Sequence, residues 1–290
     1  MLDAAKEWLF RTSLRLFMPG LAQQMQLDGT LELDPNKMPR YLHVADKKAD
    51  CTIFVFSGLD VLFAGMARFE FGRLLRNLGD RCNVVFIRDI HRSLYHMAPE
   101  GSKDGLVYFE KKLQELMDDL GASVNIGLGS SAGGGAAFFF GSKCGLDHVI
   151  AFGPAFPASV YTGFLNQMKT YLNLKALFTD PRAYSEVLMV TIGAIATMMH
   201  LRRDFGKKNI WNILEVYRAA LRRPCATVFY GERCGPDSRT ARILSEFPEV
   251  KLAPLPTGRH STPEFLQERG ELGGRLVEEI EAAIEGKRSR

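Results

Sequence analysis

The stretch Val124-Asn125-Ile126-Gly127-Leu128-Gly129-Ser130-Ser131-Ala132-Gly133-Gly134-Gly135 decides how the rest of the chain is read. Its first half is a short apolar run of the kind that forms a buried strand, and its second half is rich in small residues that open a helix. Between them lies Gly129-Ser130-Ser131-Ala132-Gly133, a Gly-x-Ser-x-Gly pattern at a strand-to-helix turn. That turn lifts a serine to the carboxyl edge of a sheet in strained backbone geometry, which only small neighbours tolerate. Ser131 is therefore the candidate nucleophile. Ser130 is out of frame, because Leu128 stands where its glycine belongs. A glycine-rich turn also suits a phosphate-binding loop, but this one lacks the lysine of such loops and the third glycine of a dinucleotide fingerprint.

Working outward, short β-rich runs alternate with helical stretches from about residue 41 onward. Strands are expected at 52–56, 83–87, 124–128, 148–152, 226–230 and 250–252. Helices are expected at 67–78, 106–120 and 132–140, with one closing helix over 263–284. Continuous apolar strands separated by helices imply an α/β fold with a mostly parallel sheet covered on both faces. The interval 157–223 breaks the rhythm with helical patterns at 164–177, 184–201 and 209–221 and no strand signal. It reads as a helical cap inserted between 41–156 and 224–290, which together form the core. Residues 1–40 read as a helical extension, with Leu2, Ala5, Trp8, Leu9 and Leu16 at roughly helical spacing.

A serine nucleophile at a strand end calls for an acid and a histidine after later strands, in that chain order. The loop after the strand at 226–230 reads Gly231-Glu232-Arg233-Cys234-Gly235-Pro236-Asp237. Asp237 is the candidate acid, with Glu232 as the alternative; as a plain helix cap Asp237 would have no chemical role. His260 follows the last strand and has the side chain a general base needs. The other histidines fall in early strands, in the insertion, or out of chain order, although His91 and His96 sit on the correct edge to line a pocket. The amide of Ala132 and that of Leu59, or its neighbour, are the candidate oxyanion donors. Arg88 and Asp89, at another strand end, are expected to form a structural ion pair.

Strand order, elbow, late acid and late histidine resemble the α/β-hydrolase superfamily over roughly residues 41–285. Over 52–156 the chain is also similar to a group of bacterial hydrolase-like proteins with no assigned substrate, through Arg88-Asp89, Ser93-Leu94-Tyr95-His96 and Ala151-Phe152-Gly153-Pro154. The resemblance implies acyl chemistry: Ser131 attacks an ester, thioester or amide carbonyl, His260 takes its proton, and Asp237 orients the ring. It implies no metal and no organic cofactor. Acyl transfer or cyclisation on the same triad, or a non-catalytic binding role on the same fold, are the alternatives.

Composition narrows the partners. A net charge of +4, with the basic residues scattered, argues against nucleic acid. Five widely spaced cysteines fit neither a disulfide framework nor a zinc site and suggest reduced thiols in the cytoplasm. Charged residues interrupt the amino-terminal apolar positions, so no signal-peptide core is expected, and the apolar run 187–199 is too short to span a bilayer. Val187, Leu188, Met189, Val190, Ile192, Ile195, Met198 and Met199, with Phe164, Leu165, Tyr171 and Leu172, make the insertion apolar. It either roofs a hydrophobic acyl pocket for a small-molecule substrate or packs on the core. Oligomeric state is not written in the sequence.

Overall fold

A computed structural model describes residues 41–59, 70–76, 78–156, 178–206 and 212–288. The expected extension over 1–40 and the helix at 164–177 lie outside the described residues. The strands are β1 (Leu42–Ala45), β2 (Cys51–Phe56), β3 (Asn83–Ile87), β4 (Val124–Ser130), β5 (His148–Phe152), β6 (Cys225–Gly231) and β7 (Val250–Leu255). They form one sheet in the order β1-β3-β2-β4-β5-β6-β7. β1 pairs antiparallel with β3, and every other neighbouring pair is parallel. All six strands expected from the sequence are present.

Parallel strands need crossovers, and the helices supply them. They are α1 (Gly72–Arg76), α2 (Gly105–Leu120), α3 (Ala132–Cys144), α4 (Pro181–Phe205), α5 (Ile213–Ala219), α6 (Gly235–Leu244), α7 (Thr262–Glu268) and α8 (Leu272–Arg288). The period-2 alternation of a strand divides the side chains of β2 between two cores. Phe54 and Phe56 join α2, α3 and α5 on one face, while Ile53 and Val55 join α1, α7 and α8 on the other. Each such fully buried side chain contributes about 1.5–3 kcal/mol of transfer free energy.

On β4 the alternation has a further consequence. Ile126 and Leu128 point into one core, whereas Gly127 and Gly129 face α3 and let it lie close. The expected single closing helix is in fact two. Gly270, at φ +70°, ends α7, and α8 restarts two residues later. The apolar period runs through the break, so the hydrophobic pattern alone did not reveal it.

Between β5 and β6 the described residues hold α4 and α5 and no strand. α5 is part of the main core: Ile213 and Tyr217 are buried, and Tyr217 packs edge-on against Phe138 and Phe247. α4 takes a different course. At its amino end Glu186 bonds Arg259 and Ser261 beyond β7, and at its carboxyl end Phe205 packs on His96 beyond β3. At 1.5 Å per residue its 25 residues reach about 37 Å, enough to cross the carboxyl edge of the sheet between those two loops. No helix of the described residues is long and apolar enough to cross a membrane.

Candidate active site

β4 runs directly into Ser131, which sits at φ 52°, ψ −118°, and α3 starts on the next residue. A non-glycine residue there stores strain, which the surroundings must hold in place. The hold is steric. A Cβ on Gly129 would lie 2.7 Å from the Gly134 nitrogen, and one on Gly133 would lie 2.9 Å from the carbonyl carbons of Phe56 and Ser57. Either side chain would push the start of α3 off the sheet. The backbone of the elbow is also tied down: the Ser131 amide donates to Phe152 O at 2.8 Å, and Ser131 O accepts from Ala155 N at 2.9 Å.

The three residues expected to act together meet here. His260 Nε2 lies 2.8 Å from Ser131 Oγ, and His260 Nδ1 lies 2.7 Å from Asp237 Oδ1. A carboxylate only accepts, so Nδ1 carries the proton toward Asp237 and Nε2 is left to accept from the serine hydroxyl. Asp237 and His260 are 2 % and 8 % exposed. Glu232, the alternative acid, is exposed and takes no part in the pair. Asp237 Oδ2 further accepts from the Gly231 amide at 3.3 Å. Gly153, at φ +50°, ends β5 against the pair, and a Cβ there would stand 3.1 Å from Asp237 Oδ2 and 3.4 Å from His260 Cε1.

Burial disfavours a charged imidazole, but the Asp237 carboxylate and then Glu186 outweigh it, so the His260 pKa rises above its ordinary 6.5. Cys234 lies three residues before Asp237, with its thiol within hydrogen-bonding reach of that carboxylate. Burial first, and the Asp237 charge second, push the thiol well up, so it stays protonated. The ligand atoms of Cys234, Asp237 and His260 fall within 4.8 Å of one another, a spacing that also suits a metal ion. The 2.7 Å Nδ1–Oδ1 contact, however, is that of a hydrogen bond; ligands on a tetrahedral zinc stand about 3.3 Å apart. The grouping fits a hydrogen-bonded acid better than a metal site.

The loop that carries Leu59 passes beside Ser131: a Cβ on Gly58 would be 4.0 Å from Ser131 Cβ. Besides the backbone bond from Ser57 N to Ile87 O at 3.0 Å, four hydrogen bonds that involve a side chain brace it. Gly58 N donates to Glu70 Oε1 at 2.7 Å, Asp89 N to Ser57 Oγ at 3.1 Å, Tyr95 Oη to Ser57 O at 3.0 Å and Arg92 Nε to Leu59 O at 3.2 Å. Three of the four braces come from the segment after β3, where Arg92, Leu94 and Tyr95 take positive φ. Ala132 opens α3, whose first amides have no intrahelical acceptor and point toward the edge of the sheet. The expected Arg88–Asp89 pair is not what holds Asp89. Its carboxylate accepts from Ser93 Oγ at 3.3 Å and Tyr95 N at 3.1 Å. His96 is 2 % exposed, with Nδ1 against Ser93 O and Leu94 O, so it is a support and not a pocket wall.

Comparison with known proteins bears on the fold. No protein-family model matches the chain, and no curated protein matches it in sequence. Solved structures do match. A carboxylesterase of the ammonia-oxidising thaumarchaeon Nitrososphaera gargenis is similar at TM-score 0.52 and 13% identity, over 85% of this chain and 95% of its own. MenH from S. aureus is similar at TM-score 0.51 and 13% identity, over 86% and 99%. A capsule O-acetyltransferase of Neisseria meningitidis serogroup A is similar at TM-score 0.51 and 14% identity, over 83% and 92%. The chain has the α/β-hydrolase fold. Its strand order and the elbow after the fourth described strand are those of that architecture.

Proposed function

We propose that the chain is a serine hydrolase that cleaves an ester or thioester through Ser131, His260 and Asp237. The observation that carries this reading is the unbroken relay of 2.8 Å and 2.7 Å hydrogen bonds from Ser131 Oγ through His260 to Asp237. In the first half-reaction His260 Nε2 takes the hydroxyl proton as Ser131 Oγ adds to the acyl carbon. Asp237 keeps the imidazole in the correct tautomer and offsets its positive charge. The amides of Ala132 and Leu59 donate to the oxyanion. Collapse expels the alcohol or thiol with the proton from His260 and leaves an acyl-enzyme. In the second half-reaction His260 takes a proton from water, which attacks the acyl group, and returns it to Ser131 Oγ as the acid is released.

The substrate proposed is a small molecule with a hydrophobic acyl group. Support comes from α4, an apolar helix whose two ends meet the loops beyond β7 and β3 at the carboxyl edge of the sheet. On this reading the part of the interval 157–223 that holds α4 serves as the cap, while α5 belongs with 41–156 and 224–290 in the catalytic core. All five cysteines are free, which favours a reducing, cytoplasmic setting. A second reading is acyl transfer, favoured by the likeness to a capsule O-acetyltransferase. Hydrolysis of p-nitrophenyl esters and acyl-thioesters of graded chain length in ¹⁸O water tests both. Incorporation of ¹⁸O into the released acid supports hydrolysis. A product without it, formed only when an alcohol or amine is added, supports transfer.

A further inference from the structure

Glu186 lies near the start of α4, its side chain 6 % exposed, and both of its oxygens are engaged. Oε2 accepts from Arg259 Nε at 3.2 Å, and Oε1 accepts from the amide of Ser261. Arg259 and Ser261 are the residues on either side of His260, so one carboxylate bridges the peptide that carries the histidine. Arg259 is held from the other side by Glu264 Oε2 and Glu268 Oε2, each at 2.8 Å. Glu268 in turn accepts from Arg182, one turn before Glu186 on α4, at 2.8 Å.

Water would satisfy a loop amide at little cost, whereas a buried carboxylate is expensive to desolvate. The chain nevertheless supplies a buried carboxylate from 75 residues away. The bridge gains reach as well as charge: it ties the Ser261 amide on one side and the Arg259 guanidinium on the other side of a ring whose distance to Ser131 must stay within a few tenths of an ångström.

We propose that Glu186 is a positioning residue for catalysis, holding the His260 ring at Ser131 and keeping negative charge beside it, so that docking of α4 sets both the reach and the basicity of the base. This rests on the serine-hydrolase reading above. Among the described residues, the groups facing His260 are Ser131 at the elbow, Cys234 and Asp237 at the start of α6, Glu186 from α4, and its own neighbour Arg259, whose charge Glu186, Glu264 and Glu268 balance. Removing the Glu186 charge takes away one of the influences that raise the His260 pKa and leaves Arg259 less neutralised. Both changes lower that pKa.

The test pairs a substrate-free measurement with a kinetic one. NMR titration of His260 in the Ser131→Ala background, with and without Glu186→Gln, is expected to show the pKa falling by about half a unit to one unit. With p-nitrophenyl butyrate, Glu186→Gln is expected to lower kcat about tenfold or more with KM within about twofold, and to move the acid limb of kcat/KM to lower pH. Arg259 retains two acidic partners in this variant, which protects folding. Glu186→Asp keeps the charge but is too short to span both flanking residues, so its acid limb stays while kcat falls; if Glu186→Gln does not fold, an unchanged kcat in Glu186→Asp overturns the proposal. Unchanged kcat and an unchanged His260 pKa in a folded Glu186→Gln protein would overturn it equally. A wild type that neither hydrolyses the ester nor takes up a fluorophosphonate at Ser131 would overturn the serine-hydrolase reading instead, whatever the titration gives.

Discussion

Adding one methyl group at Gly133 sets two effects of opposite sign against each other. Gly133 lies in the first turn of α3, where alanine is favoured over glycine by at most the roughly 1 kcal/mol of a helix interior. Against this, the new Cβ would stand 2.9 Å from the carbonyl carbons of Phe56 and Ser57, and nearer still to Phe56 O. Carbon atoms pack at about 3.5–4.0 Å, so the start of α3 must recede from β2 by roughly 1 Å. Phe56 is on a central strand, buried at 0 %, and cannot yield. Overpacking of this kind costs about 1–3 kcal/mol and overrides the propensity gain. The displaced residue next door is Ser131, and a shift of about 1 Å at a reacting group costs about a hundredfold in rate.

Gly133→Ala is therefore expected to lower the melting temperature by several degrees and kcat about a hundredfold, with KM nearly unchanged. Thermal unfolding and p-nitrophenyl ester kinetics read the two effects. Two further variants calibrate the series. At Gly134 the nearest atoms are 3.1 Å and 3.2 Å from the added Cβ, so Gly134→Ala should be mild. At Gly274 nothing lies within 4 Å, and Gly274→Ala in α8 should stabilise by about 0.5–1 kcal/mol without touching activity. A Gly133→Ala protein with wild-type kcat would refute the claim that this close approach sets the serine.

Asp237→Asn removes the carboxylate that orients His260 and should lower kcat about 10³–10⁴-fold with the fold intact. It also removes the largest influence that raises the His260 pKa while the opposing burial remains. Activity requires the neutral imidazole, so the wild-type acid limb should lie above pH 6.5, and what activity survives in Asp237→Asn should have its limb at lower pH. Tyr95→Phe deletes the 3.0 Å bond from the buried phenol to Ser57 O in the loop that carries Leu59. The expected cost is about 1–2 kcal/mol in stability and a several-fold fall in kcat, checked by denaturant unfolding and ester kinetics.

Much of this architecture can be read locally. Runs such as Thr52 to Phe56 and Val149 to Phe152 are buried on both faces, so their strand character is written in unbroken apolar residues. The elbow is equally local, because the strain at Ser131 needs Gly129 and Gly133 within two positions of it. Asp237 and His260 follow from chain order once the parallel sheet is recognised. What escaped the sequence depends on contacts between distant segments. Nothing near Glu186 or Arg259 announces that they meet across 73 residues, and nothing near Ser57 points to Tyr95. Cys234 stands three residues before Asp237, but its closeness to the Asp237–His260 pair depends on the fold. The break at Gly270 was hidden because the apolar stripe of α7 and α8 continues across it; only the run Gly270-Glu271-Leu272-Gly273-Gly274 hinted at it.

The central claim is that Ser131 is the nucleophile and His260 its base. Treatment with a fluorophosphonate, followed by mass mapping of the labelled peptide, tests it most directly. One adduct per chain is expected, on Ser131, absent in Ser131→Ala and formed far more slowly in His260→Ala. An adduct on any other residue, or ester hydrolysis that persists at the wild-type rate in Ser131→Ala, would contradict it.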